Sequence, residues 1–69
     1  MLNQQIAQNI KRQCRERRIS VSAMLKTCGI NQNLIYEMEN KDKSPRIDTL
    51  VKIADYLDCS LDWLAGRQE

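Results

Sequence analysis

Residues 20–40 hold the pattern that limits this chain most. Val21, Met24, Leu25 and Cys28 recur at i, i+3, i+4 and i+7, which puts four apolar side chains on one helix face. Gly29 follows directly, and a glycine there closes a helix in the left-handed conformation without a Cβ clash. Ile30 is apolar inside the turn, so the turn is expected to pack. Asn31 is a good N-cap for a next helix running from Gln32 through Met38.

Two short helices joined by a three- to four-residue, glycine-containing turn form a helix-turn-helix, whose second helix enters the DNA major groove. Gln32 and Asn33 then fall in the first turn of the reading helix, and both amides can make paired hydrogen bonds to adenine. Ile35 and Met38, three apart, face the core, while Tyr36 and Glu37 point elsewhere. After the helix comes Lys41-Asp42-Lys43-Ser44-Pro45-Arg46, a charged loop with the chain's only proline. Its basic residues sit where a DNA backbone would pass. The alternative, a merely solvated charged face, weighs somewhat less here because three cations flank one helix.

The remaining segments read as supports. The spacing predicts five helices, over about 3–18, 21–28, 32–40, 47–57 and 61–65. Ile6, Ile10 and Cys14 make the apolar stripe of the first. Ile19 is expected to plug the core between the first two helices, and Ser20 caps the second. Ile47, Leu50, Val51, Ile53, Ala54 and Leu57 give the fourth helix a broad apolar face. Asp58 stands where a left-handed residue ends it. Ser60 caps the last helix, Gly66 ends it, and residues 67–69 read as a loose tail. Trp63 either closes the core with Leu64 or sits at a dimer contact.

With 69 residues there is room for one domain, 1–69. No apolar run is long enough to span a bilayer, and the first residues lack a signal-peptide pattern, so the expectation is a cytoplasmic protein. The three cysteines are odd in number, there is no CxxC pair and there is no histidine. A disulfide framework and a zinc site are both disfavoured, and no cofactor or small-molecule ligand is expected. An enzyme is disfavoured too, because no histidine base and no glycine-rich phosphate loop are present. Net charge is +2 but unevenly placed. Residues 1–34 carry six basic side chains against Glu16 alone, while residues 35–69 carry five against eight acidic. That asymmetry suits a protein with one face toward an anionic polymer.

The Gly29 turn with Ile35 six positions on, then Met38-Glu39-Asn40, Ser44-Pro45, IDTLVKIADYL at 47–57 and SLDWLAG at 60–66, resembles the Cro/phage-repressor (XRE-type) helix-turn-helix family, over nearly the whole chain. The resemblance implies an all-α, compact five-helix lambda-repressor-like DNA-binding domain, of the kind found in small bacterial or prophage regulators. By position it implies that Gln32, Asn33 and Tyr36 face base edges, with Glu37 beside them. Asn31, Asn40, Lys41 and Lys43 meet phosphates, and Arg46 lies near the backbone or minor groove. Ser20 and the amides after it hold a phosphate at the start of the second helix.

Three positions depart from the family. Val21 stands where Gln often braces the reading helix. Leu25 replaces a small Ala on the inner face of the second helix. Cys14 replaces an Arg that pairs with the acid at Glu39, so Glu39 lacks its partner or meets Arg15 or another cation. Glu37 is awkward as well, because a groove carboxylate repels phosphates unless it accepts from a cytosine amine. Two functions follow. The first is a sequence-specific regulator of double-stranded DNA, a repressor by expectation, with a homodimer on DNA as one arrangement and the oligomeric state left open. The second is a protein-interaction module on the same fold, such as an antirepressor or antitoxin, suggested by Glu37, Val21 and the acidic second half.

Overall fold

Three helix ends in this protein are built the same way, and they set the paths between elements. The computed structural model describes residues 2–65. It contains α1 (Leu2–Glu16), α2 (Val21–Thr27), α3 (Leu34–Asn40), α4 (Ile47–Leu57) and α5 (Leu61–Leu64), with no strand among the described residues. The all-α, five-helix expectation holds. Gly66, expected to end α5, and the 67–69 tail lie outside the described residues.

After α1, α2 and α4 the chain passes through a left-handed residue: Arg18 at φ 57°, Gly29 at φ 70° and Asp58 at φ 54°. The next residue then donates its N–H to a carbonyl five positions back. These bonds are Ile19 N to Cys14 O (2.8 Å), Ile30 N to Leu25 O (2.8 Å) and Cys59 N to Ala54 O (3.0 Å). This satisfies end carbonyls that would otherwise be orphaned. Ile19, Ile30 and Cys59 each pack, partly buried, against the core. The expected left-handed positions at Gly29 and Asp58 are found. Arg18 is a correction: α1 stops at Glu16 and not at 18, because the chain reverses through a residue whose Cβ gives no hint of it.

Starts follow side-chain chemistry. Ser20 Oγ accepts from Ala23 N at 2.9 Å and Ser60 Oγ accepts from Trp63 N at 3.0 Å, so both serines cap as expected. α3 begins at Leu34, two residues later than its pattern suggested. Asn31 Oδ1 accepts from Asn33 N at 2.7 Å, and Leu34 N donates to Asn31 O at 3.1 Å. Asn31 thus folds Gln32 and Asn33 into a tight turn ahead of the helix.

Ile10, Cys14, Met24, Leu25, Met38, Ile53, Leu57 and Leu64 are the fully buried centre. α1 packs along α3 and also meets α2 and α5, while α4 packs on α2 and α5. The face of α4 is narrower than expected. Ile53, Ala54 and Leu57 are buried, but Ile47 is 69% exposed and Val51 39%. Trp63 is half-buried against the core beside Leu64. Among the described residues one polar side chain is buried: Asn9 donates from Nδ2 to Leu64 O at 2.8 Å, which fastens the end of α5 to α1.

Candidate nucleic-acid interface

α3 owes its orientation to its apolar side. Leu34, Ile35 and Met38 are buried, so Tyr36 must turn outward, where it is 58% exposed. Gln32 and Asn33, in the turn just before, are exposed on the same run of chain. The candidate base-facing residues therefore do lie together, though two of them precede the helix proper.

Gln32 is held in place. Its Nε2 donates to Ser22 O at 3.0 Å, and its Oε1 accepts from the Ser22 hydroxyl at 2.7 Å. One lone pair and one N–H of the amide stay unused, each able to make a single bond to a base edge. The brace that Val21 cannot make is thus made one residue later, by Ser22. Nothing in the sequence pattern singled out Ser22. Val21 itself is half-buried against the core, and Leu25 is fully buried within it.

Glu39 also finds a cation, and it is Lys11. Lys11 Nζ lies 2.8 Å from Glu39 Oε2, and Gln4 Nε2 donates to Glu39 O at 3.1 Å. Both contacts bind the last turn of α3 to α1. Nearby, Asn3 Nδ2 donates to Asp42 O (3.0 Å), Asp42 Oδ1 (3.1 Å) and Ser44 Oγ (3.2 Å). Asp42 is left-handed at φ 50°, so this clasp holds a bent loop.

The candidate phosphate residues are placed unequally. Lys41, Lys43 and Arg46 are all exposed on the loop after α3. Lys43 Nζ lies 3.2 Å from Glu37 Oε1, and Arg46 Nε lies 3.6 Å from Asp48 Oδ1. Asn40 is exposed and bends Nδ2 back to Tyr36 O at 3.1 Å. Asn31 and Ser20 are exposed, but each has spent a side-chain oxygen on its own backbone. A cleft of about 230 Å³ separates the Gly29 turn from the loop, with Asn31, Lys43, Ser44, Arg46, Thr49 and Lys52 on its walls. Lys52, placed outside the apolar face by helical periodicity, joins this cationic rim and makes no ion pair among the described residues. A larger cleft of about 300 Å³ is walled by α1 side chains alone, including Lys11, Arg12 and Arg15, and holds none of the residues of α3 or its loops.

Burial pushes the Cys14 thiol up, and it pushes the Cys59 thiol up against the opposing pull of Arg17. A raised thiol is a poor nucleophile. Among the described residues no cluster of three ligating side chains could hold a metal, and no helix is long and apolar enough to cross a membrane.

Neither the curated proteins nor the solved structures give a match. A family model for the Cro/C1-type HTH DNA-binding domain matches residues 9–67, which takes in α2, α3, their turn, the basic loop and α4 and α5. DNA is accordingly its partner, and the chain belongs to the Cro/C1-type HTH DNA-binding domain family.

Proposed function

We propose that this protein is a sequence-specific regulator of transcription that places α3 and the turn before it in the major groove of double-stranded DNA, and that it represses by occupying its site. One observation carries the reading. The exposed edge formed by Gln32, Asn33 and Tyr36 is backed by a fully packed apolar side and flanked by the loop cations Lys41, Lys43 and Arg46. Gln32 and Asn33 read base edges, Tyr36 packs against them, and Glu37 stands beside them. Lys41, Lys43, Arg46 and Asn40 hold phosphates. Asn31 and Ser20 reach the backbone through their N–H groups, since their side-chain oxygens are engaged. Lys52 adds a further cation on the rim of the cleft.

The protein works as a homodimer, with Ile47 and Val51 of α4 as its exposed apolar contact. Half-sites then lie about one helical turn apart, roughly 10 base pairs. The resemblance to small bacterial and prophage regulators supports action in the cytoplasm. The protein-interaction reading has less support, because the fold meets two of its motives internally: Lys43 faces Glu37, and Ser22 supplies the brace missing at Val21.

Selection of random duplex DNA with the purified protein tests the proposal. A two-fold symmetric site is expected. Gln32→Ala and Asn33→Ala should each weaken binding to that site by about tenfold, with little effect on random DNA. Equal losses on both DNAs would remove these residues as base readers, and no enriched site at all would overturn the function.

A further inference from the structure

The acid on the reading helix has its counter-ion built in. Glu37 has a side chain only 25% exposed, and its Oε1 lies 3.2 Å from Lys43 Nζ. The backbone closes over the same residue, for Lys41 N and Lys43 N both donate to Glu37 O, at 2.9 and 3.2 Å. Helical spacing does not bring these side chains together, since Lys43 is six residues on and outside α3. The bend at Asp42 carries Lys43 back, and the Asn3 clasp on Asp42 and Ser44 fixes the bend. Two groups with opposite tasks on DNA, one toward bases and one toward phosphates, therefore satisfy each other in the fold.

While the pair is closed each group offers DNA less, since one oxygen of Glu37 is taken and the Lys43 charge is shared with a carboxylate. Against base edges a carboxylate pairs best with the cytosine N4 amine; the adenine N6 amine lies beside the N7 acceptor, which repels a second carboxylate oxygen, and guanine and thymine present only acceptors there. Against phosphates Lys43 is a point charge that can move on its flexible stem. We propose that Glu37 and Lys43 form an exchange pair that makes one position of the site selective for cytosine. A cytosine amine takes the place of Lys43 on the carboxylate, and Lys43 turns to the nearest phosphate. Guanine or thymine leaves the pair closed and Lys43 withheld. One base change thus alters a base contact and a phosphate contact together. This rests on the reading of α3 as the groove helix.

The two contacts have separate signatures. Each phosphate contact adds about one to the salt slope of affinity. The test uses selection on the full chain, followed by affinities over a salt series for the selected site and for that site with its cytosine changed to thymine. For the unaltered protein the selected site should be favoured about tenfold. It should also show a salt slope steeper by about one. Glu37→Gln should lose the cytosine preference and give equal slopes on both sites. Lys43→Met, an exposed change that leaves the core alone, should keep the preference and lose the extra slope. Equal slopes in the unaltered protein, or an unchanged preference in Glu37→Gln, would overturn the exchange pair while leaving the groove reading intact. Failure to enrich any site would overturn both.

Discussion

Arg18, Gly29 and Asp58 share one backbone state and meet it with different side chains. For an L-residue that state costs about 1–2 kcal/mol, which glycine avoids. Arg18→Gly should relieve this, and the greater freedom of its unfolded chain takes back about 0.4–1 kcal/mol. The net expectation is a gain of roughly 0.5–1 kcal/mol, read from urea unfolding; a loss would mean that the Arg18 side chain makes a contact worth more than its strain. Gly29→Ala is the converse. A Cβ at Gly29 would meet nothing within 4 Å, so only the backbone term of about 1 kcal/mol should be lost.

At the scale of elements, Ser22 and Gln32 join α2 to the turn before α3. Ser22→Ala removes the hydroxyl bond to Gln32 Oε1 and loosens the amide. Both residues are exposed, so stability should move by no more than about 0.5 kcal/mol. Discrimination at the base opposite Gln32 should still fall several-fold, measured as the affinity ratio of two sites differing at that base. An unchanged ratio would show that Gln32 needs no brace.

Much of this architecture was legible in the sequence, and what was missed has a common cause. The apolar repeat of α2, the serine caps and the turns at Gly29 and Asp58 are local, and each leaves its mark within a few residues. The stop at Arg18 left none, because a charged side chain stood where glycine is usual. The delayed start of α3 came from Asn31 binding its own backbone two residues on, which competes with a cap. Ser22–Gln32, Lys11–Glu39 and Lys43–Glu37 depend on packed helices or a bent loop, and such pairings carry no periodic trace. The exposure of Ile47 and Val51 was also illegible, since periodicity shows which residues share a face but not how wide the neighbouring helix is.

Across the whole molecule, the last helix is only four residues long and depends on others for its place. Asn9→Ala leaves the Leu64 carbonyl without its donor, an expected loss of about 1–3 kcal/mol. In a domain of this size each kcal/mol lowers the unfolding midpoint by roughly 4–8 °C, so a thermal melt suffices. A melt within one degree of the unaltered protein would mean that the carbonyl finds another donor. Assembly is tested on the other side of α4. Ile47→Glu should leave the fold intact, because Ile47 is 69% exposed, and should abolish the cooperative filling of a two-fold site. Retained cooperativity would place the dimer contact elsewhere.

α3 is a seven-residue helix, too short to persist alone. Its last turn and the loop beyond it are held by Asn3, Gln4 and Lys11, none of which is expected to touch a base. A protease that clipped α1 would therefore silence the protein without removing a single reading residue. On the proposed reading DNA grips α3 and its loop from the opposite side and would delay that cut, so copies seated on their sites would outlive copies adrift in solution. The lifetime of the regulator would then record how much of its target is occupied.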